Sequence, residues 1–147
     1  MEIERKFLIS GLPADLDAYP HTELEQAYLS PSPVVRVRKD GRNHTLTYKG
    51  SGMMAREEYD LPLNKKAYLH LLEKHDGRIL TKTRYRIPYG PYTIELDLFH
   101  GAYEGLVIAE VEFPSVEEAE AFEPPEWFSK EVTYDKRYHN ANLAYQE

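Results

Sequence analysis

The chain has 147 residues, and its 18 lysines and arginines against 25 aspartates and glutamates give a formal net charge of −7 with histidine neutral. This acidic balance disfavours a nucleic-acid-binding module, because such a module carries a net basic surface that neutralises phosphates. The sequence contains no cysteine, which excludes disulfides, thiolate metal ligands and thiol catalysis, so any metal must be bound by oxygen or imidazole.

The length predicts a single domain over residues 1–147, large enough to bury a hydrophobic core. The N-terminus, MEIERKFLIS, has acidic residues where a secretory signal peptide has basic ones. No apolar run approaches the roughly 18 residues that span a bilayer. We therefore expect a soluble, cytoplasmic protein that has no membrane partner.

Alternation of polar and apolar residues predicts five strands in the first half of the chain. They cover residues 1–9, 22–29, 34–39, 44–49 and 55–61, with a turn-rich stretch and a short helical turn after the first. Asp40-Gly41-Arg42-Asn43 is expected to join the third and fourth strands as a hairpin, since Gly41 permits a positive backbone angle.

The apolar period then changes to that of a helix. Asn64 is a suitable N-cap for a helix that runs to about Lys74 and ends at Gly77. Alternation resumes and predicts three more strands, over residues 79–87, 93–99 and 106–113. Two further helices are predicted over residues 116–122 and 135–144.

The predicted fold class is mainly β (α+β), with eight antiparallel strands and flanking helices. Eight mainly antiparallel strands of this length are about what closes a β-barrel, and closure removes the exposed sheet edges. An open sheet packed on helices is the alternative architecture.

The strands have one charged face and one apolar face, and this pattern has two interpretations. The charged faces could point to solvent around an apolar sandwich core, which is common for antiparallel sheets. However, same-signed charges recur at positions i and i+2 in strand after strand, whereas a surface selected for solubility intersperses the signs. The second interpretation is therefore a barrel with a charged, hydrated lumen that binds a polyanion and a divalent metal.

Carboxylate clusters without cysteine favour a hard cation such as Mg²⁺ or Mn²⁺. Clustered lysines and arginines together with such a cation suit phosphoryl transfer, which depends on positioning and charge neutralisation. Gly50-Ser51-Gly52 lacks the spacing and the following Lys-Ser/Thr of a phosphate-binding Walker loop. Phosphate would therefore be held by side chains.

Several of these charged positions form an ordered set along the chain. They are Glu2, Glu4 and Lys6, then Arg36 and Arg38, Lys49, Lys82 and Arg84, and Glu110 and Glu112. The first three fit an ExExK signature, and with the whole set the chain resembles the triphosphate tunnel metalloenzymes, the CYTH superfamily, over nearly its full length. This resemblance implies an eight-stranded antiparallel β-barrel that forms a charged tunnel for a linear triphosphate.

The resemblance also implies roles for individual residues. The implied metal ligands or water-positioning acids are Glu2, Glu4, Glu110 and Glu112. The implied substrate-binding residues are Lys6, Arg36, Arg38, Lys49, Lys82 and Arg84, joined by Lys136 if the last helix brings it to the tunnel mouth. The implied catalytic residues are Glu4, Glu112 and Lys6. Second choices, with salt bridges in the barrel wall as the alternative interpretation, are Arg56, Glu58, Arg86, Glu95 and Asp97.

The resemblance implies a metal-dependent phosphohydrolase that releases orthophosphate from inorganic triphosphate (tripolyphosphate), with nucleoside triphosphates as secondary substrates. The small size implies a minimal tunnel domain of the kind found in small bacterial inorganic triphosphatases. The alternatives are a class IV-type adenylate cyclase that makes cyclic AMP and pyrophosphate from ATP, a thiamine triphosphatase, or a binding module without turnover. The expected partner is a small-molecule triphosphate with Mg²⁺ or Mn²⁺, and neither nucleic acid nor membrane; the oligomeric state is not predicted.

Overall fold

The protein, described here by a computed structural model, is defined over residues 1–146. Its strands are β1 (Glu2–Ile9), β2 (His21–Pro31), β3 (Val34–Asp40), β4 (Asn43–Lys49), β5 (Ala55–Arg56), β6 (Glu58–Leu63), β7 (Asp76–Tyr89), β8 (Tyr92–Phe99), β9 (Val107–Glu112) and β10 (Phe128–Glu131). Its helices are α1 (Lys65–Leu72), α2 (Val116–Ala121) and α3 (Asn140–Tyr145). Short 3₁₀ turns occur at Leu16–Ala18, Gly101–Tyr103 and Lys136–Tyr138.

The strands form one antiparallel sheet in the order β10-β1-β9-β8-β7-β2-β3-β4-β6. The sheet curls back on itself, because β5 pairs with β1 through Glu2↔Arg56 and Ile3↔Ala55. Only Glu57 separates β5 from β6. The path of strand pairings therefore returns to β1, which confirms the predicted mainly β architecture with a barrel-like sheet.

The observed elements differ from the predicted ones in four places. The fifth predicted strand is divided at Glu57, and β10 was not predicted, because three of its four residues are exposed and show no alternation. The helix capped by Asn64 ends at Leu72, and Gly77 lies inside β7, so the prediction that Gly77 ends the helix was wrong. The last predicted helix is broken at His139, whose backbone is extended, so that only α3 is α-helical.

The apolar faces of the strands point outward and are covered by the helices and β10. One cluster contains Phe122, which directly follows α2, and Phe128 of β10. Both pack against Phe7, Ile94 and Val111 of the sheet. A second cluster packs Leu143 and Ala144 of α3 against β2 and β7, and a third packs Tyr68 of α1 against β2 and β3. This covering leaves the charged faces on the inside of the curled sheet. Within residues 1–146 there is no helix with both the length and the hydropathy to cross a membrane.

Candidate active site

The inside of the curled sheet is a cavity of about 960 Å³. All the residues that the sequence placed in the metal and substrate sets line this cavity. They are Glu2, Glu4, Lys6, Arg36, Arg38, Lys49, Lys82, Arg84, Glu110, Glu112 and Lys136. The structure therefore brings together side chains from strands at opposite ends of the sequence, with Lys136 exposed at the edge of the cavity.

The second-choice residues divide into two groups. Arg56, Glu58 and Glu95 line the cavity, whereas Arg86 and Asp97 do not. The Arg86 guanidinium lies 2.9 Å from an Asp40 carboxylate oxygen. Asp97 is fully buried behind the cavity wall and pairs with basic residues of β7. For Arg86 and Asp97 the interpretation as wall salt bridges is the correct one.

The cavity is richer in positive charge than the rest of the molecule. The basic residues that line it are Lys6, Arg36, Arg38, Arg42, Lys49, Arg56, Lys82, Arg84 and Lys136. The acidic ones are Glu2, Glu4, Asp40, Glu58, Asp60, Glu95, Glu110 and Glu112. The cavity thus has nine basic against eight acidic residues, whereas the whole chain has 18 against 25. An acidic protein can therefore still bind a polyanion, because its basic residues are concentrated in this cavity.

On β1 and β9 a buried lysine lies between two buried glutamates. The Lys6 Nζ atom is 3.3 Å from Glu110 Oε1 and 3.6 Å from Glu4 Oε1. Burial by itself would raise the pKa of Glu110, but the Lys6 ammonium and the Arg84 guanidinium hold it well below its usual value. Burial opposes the charge on Lys6, yet Glu110 and Glu4 raise its pKa. Lys6 and Glu110 are therefore both ionised at neutral pH.

A second group joins β1, β4 and β6. Lys49 Nζ lies 3.0 Å from Glu2 Oε1 and 3.3 Å from Glu58 Oε2. Burial would raise the pKa of Glu2, but Lys49 and a hydrogen bond with Glu58 lower it to about 2. Burial and the same hydrogen bond raise the pKa of Glu58 to about 8. Glu2 is thus the ionised partner of Lys49, and Glu58 carries the proton between the two carboxyl groups.

Glu4 and Glu112 retain the least neutralised negative charge of the acidic set. They lie opposite each other in the β1–β9 register. Burial and the nearby Glu110 raise the pKa of Glu4 to about 7. Burial, Glu2 and Glu95 also raise the pKa of Glu112. A cation placed between these two carboxylates would relieve the charge that the protein leaves uncompensated.

This acidic pair fits a hard divalent cation. Over residues 1–146 no group of three or more His, Asp or Glu side chains converges in a geometry that could hold a metal ion by itself. Mg²⁺ does not need such a cage, because proteins bind it through one or two carboxylates together with waters and substrate phosphates. The donor set therefore suits a metal that the substrate helps to bind.

Two arginines on β3 have no carboxylate partner within the described part of the chain. Arg36 is buried, its Nη2 donates to Thr47 Oγ1 at 3.2 Å, and its buried Nε has no hydrogen-bond partner. Arg38 donates only to the amide oxygen of Gln26. Burial, with Arg36 and Arg84 nearby, lowers the pKa of Arg38 to about 10. An anion in the cavity would supply the missing negative charge.

Lys82 and Arg84 on β7 share one carboxylate. Lys82 Nζ lies 2.7 Å from Asp97 Oδ2, and Arg84 donates to both oxygens of Asp97 at 2.8 and 2.9 Å. Burial lowers the pKa of Lys82 to about 7, because Asp97 is shared with Arg84 and only partly offsets it. Arg84 also lies 3.2 Å from Glu95 Oε2 and 3.6 Å from Glu110 Oε2, so carboxylates offset most of the positive charge in this corner, and Arg38 is the neighbouring cation without a carboxylate partner among the described residues.

Two uncharged polar residues that were not predicted from the sequence contact these cations. Gln26 lies directly opposite Arg38 in the β2–β3 register. Asn140, the first residue of α3, contacts Lys82. Alternation along β2 could have placed Gln26 on the inner face, but an uncharged residue does not stand out in a charge pattern. Nothing in the sequence signalled Asn140, because its position depends on the break at His139.

Comparison with known proteins gives consistent results. A CYTH domain family model matches residues 1–142. An inorganic triphosphatase from Nitrosomonas europaea is 42% identical over 149 residues, which cover 97% of this chain and 96% of that protein. An inorganic triphosphatase from Acetivibrio thermocellus is 38% identical over 154 residues, covering 97% and 92%. A crystal structure of an inorganic triphosphatase superposes with a TM-score of 0.73 at 36% identity and covers 100% of this chain and 96% of its own.

Proposed function

Because the chain belongs to the CYTH domain family, we propose that it is a metal-dependent phosphohydrolase that releases orthophosphate from inorganic triphosphate. The observation that carries this proposal is the division of charge inside the tunnel. On one side Arg36 and Arg38 lack carboxylate partners among the described residues. On the other side Glu4 shares Lys6 with Glu110, and Glu112 forms no salt bridge within residues 1–146. A linear polyanion with a divalent cation complements both sides at once.

In this proposal the basic residues of β3 and β7 bind the chain of phosphates. Arg36 and Arg38 offer unused guanidinium N–H groups, and charge-assisted hydrogen bonds to phosphate are among the strongest available to a side chain. Lys82 and Arg84 extend the same surface. Lys49 and Lys136 bind the outer phosphates. Lys6 remains protonated beside Glu110 and stabilises the charge on the phosphoryl group that is transferred.

Glu4 and Glu112 are the proposed metal ligands, with Glu2 and Glu110 completing the acidic set. Bound Mg²⁺ or Mn²⁺ would supply neutralisation of the phosphate oxygens and polarisation of the terminal phosphoryl group. The pKa of Glu4 lies near neutrality in the ligand-free protein, so this carboxyl group also exchanges a proton easily. A carboxylate of this set orients the water that attacks the phosphorus atom.

The experiment that tests the proposal incubates the purified protein with tripolyphosphate, ATP or thiamine triphosphate, each with Mg²⁺, Mn²⁺ or EDTA. Both orthophosphate and nucleotide products are followed. We expect metal-dependent release of orthophosphate that is fastest with tripolyphosphate. Cyclic AMP and pyrophosphate formed from ATP, without orthophosphate, would overturn the hydrolase in favour of a cyclase. Activity toward nucleoside triphosphates and the cytoplasmic location stay predictions from the sequence.

A further inference from the structure

Two buried amide side chains connect two of the cations that face the cavity. Gln26 is 0% exposed and Asn140 is 8% exposed. Gln26 Oε1 accepts hydrogen bonds from Arg38 Nε at 3.0 Å and from Arg38 Nη2 at 2.8 Å. Gln26 Nε2 donates to Asn140 Oδ1 at 3.1 Å, and that oxygen also accepts from Lys82 Nζ at 2.8 Å. One hydrogen-bonded chain therefore runs from Arg38 on β3 to Lys82 on β7.

The neutrality of both acceptors matters for the charge in the cavity. A carboxylate in place of either amide would add an ion pair to its cation, as Asp97 already does for Arg84 and for Lys82. An amide oxygen orients the cation without neutralising it. The contact with Gln26 uses one edge of the Arg38 guanidinium and leaves the other N–H groups available to an incoming anion.

Asn140 owes its position to the packing of α3. Leu143 and Ala144 of α3 are buried against Tyr28, Leu80 and Phe99. Asn140 stands at the start of this helix, where the chain turns from the extended His139. The C-terminal segment therefore contributes to the cavity through a side chain held by apolar contacts on the outer face of the sheet.

We propose, on the premise of the triphosphatase function above, that Gln26 and Asn140 are positioning residues, which hold Arg38 and Lys82 toward the bound triphosphate and add no negative charge beside either cation. Their contribution is then to substrate affinity. The property that matters at both positions is the absence of charge. An aspartate at position 140 has nearly the size of asparagine and accepts the same two hydrogen bonds. A glutamate at position 26 still accepts from Arg38 but no longer donates to Asn140.

The test uses Gln26→Glu and Asn140→Asp, which each add one negative charge with little change in shape. Gln146→Glu and Asn64→Asp are matched controls, since they make the same exchanges at side chains whose hydrogen-bond partners, Tyr103 and Ala67, lie outside the cavity. We expect each of the two buried variants to raise the KM for tripolyphosphate at least about tenfold, the loss of one charge-assisted contact, while kcat changes little. We expect the ligand-free melting temperature of Asn140→Asp to be unchanged or higher, because the new carboxylate pairs with Lys82 and accepts the same hydrogen bonds. Gln26→Glu loses the donation to Asn140 and should melt at a lower temperature, so Asn140→Asp supplies the stability readout.

The outcomes separate this inference from the function on which it rests. Wild-type protein that does not hydrolyse tripolyphosphate would overturn the proposed function and the inference with it. Active wild-type protein together with variants whose KM equals that of the controls would overturn the inference alone. A purely structural role would instead lower the melting temperature without a selective rise in KM. If Gln26→Glu does not fold, Asn140→Asp decides the question, because it alters the other end of the same hydrogen-bonded chain.

Discussion

Arg36 is a buried cation that the protein does not neutralise. It makes one hydrogen bond, to Thr47 Oγ1, and its Nε is buried without a partner. A buried charge without a counter-ion disfavours folding, and a buried donor without an acceptor adds to that penalty. Such a side chain makes physical sense where a ligand supplies the missing charge. Arg36 therefore gives a direct way to separate binding from stability.

The substitution Arg36→Met removes this charge and keeps much of the side-chain volume. We expect the KM for tripolyphosphate to rise roughly tenfold or more, because one charge-assisted phosphate contact is lost. We expect the ligand-free melting temperature to stay the same or rise, because no internal ion pair is broken. Steady-state kinetics and thermal denaturation of the same preparation measure both effects.

Arg86→Met is the matched control for Arg36→Met. Arg86 lies outside the cavity lining and pairs with Asp40 at 2.9 Å. Its replacement should lower the melting temperature and leave KM unchanged. If the two variants show the reverse pattern, the assignment of Arg36 to the phosphate site is wrong.

Glu4 and Glu112 are expected to be required for metal-dependent turnover. Glu4→Gln and Glu112→Gln remove a negative charge that the protein leaves largely uncompensated, so the fold should survive while metal binding is lost. We expect orthophosphate release in Mg²⁺ to fall to the level seen in EDTA, with an unchanged circular dichroism spectrum. Glu120→Gln on the exposed face of α2 is the control. Wild-type rates in either variant would remove that residue from the mechanism.

The four-residue strand β10 is held against β1 by side-chain hydrogen bonds as well as by strand pairing. β10 pairs with the second half of β1 through Phe7↔Glu131 and Ile9↔Phe128. Arg5 donates to both carboxylate oxygens of Glu131 at 2.8 and 2.7 Å, and Thr133 Oγ1 donates to the same carboxylate at 2.6 Å. These hydrogen bonds anchor the strand that covers the aromatic cluster next to β1.

This anchor predicts a defined pH dependence of stability. The hydrogen bond from Arg5 lowers the pKa of Glu131 below its usual 4.5, so folding favours the ionised carboxylate. The stabilisation is fully present above pH 4.5 and is lost as the pH falls through the lowered pKa. Wild type should therefore melt above Glu131→Gln near neutral pH, and the gap should close in acid. A gap that is independent of pH would contradict the assignment.

The docking of α3 depends on a glycine in β7. Gly77 has a φ of +58°, and a Cβ atom there would lie 2.2 Å from the carbonyl oxygen of Ala144. Gly90 has the same φ, yet a Cβ atom there would meet nothing within 4 Å. Gly77→Ala should therefore lower the melting temperature more than Gly90→Ala, although both carry the strain of a positive φ.

The comparison of the two glycine variants also reports on the active site. Displacement of α3 by the alanine at position 77 should move Asn140 away from Lys82, so Gly77→Ala should raise the KM for tripolyphosphate. Gly90→Ala should not. Equal effects of the two variants on stability and on KM would show that the close approach of α3 is unimportant.

Capping and turn residues in the sequence correctly predicted the start of α1 and the hairpin between β3 and β4, because both features depend on interactions between residues close in sequence. Asn64 caps α1 through a hydrogen bond from the backbone N–H of Ala67, and Gly41 forms the predicted hairpin turn with a φ of +60°. The strand β10 and the break before α3 were missed, because they depend on contacts with β1 and β7 that are distant in sequence. Alternation also could not decide which face of the sheet points inward; the helices that cover the apolar faces decide that.

The fold concentrates basic residues in the cavity. The chain is acidic, but its cavity collects half of its basic residues, and the apolar strand faces are buried under α1, α2, α3 and β10. Inside this cavity Arg36 and Arg38 have no carboxylate partner among the described residues, and low-dielectric walls focus the field of such cations on an ion of the opposite sign. The same charges repel one another when the site lacks a ligand, so the ligand-free molecule carries an electrostatic strain that a polyanion relieves.

This strain predicts that substrate stabilises the folded protein. Tripolyphosphate in EDTA, where turnover is absent, should raise the melting temperature; a ligand present at 100 times its dissociation constant adds about 2.7 kcal/mol to the stability of the folded state. Mg²⁺ together with tripolyphosphate should raise it further, since the cation relieves the charge on Glu4 and Glu112. Orthophosphate should have a smaller effect, because it spans fewer of the basic side chains. Thermal denaturation in the presence of each ligand measures these effects. If saturating tripolyphosphate leaves the melting temperature unchanged, the cavity is not a preformed anion site.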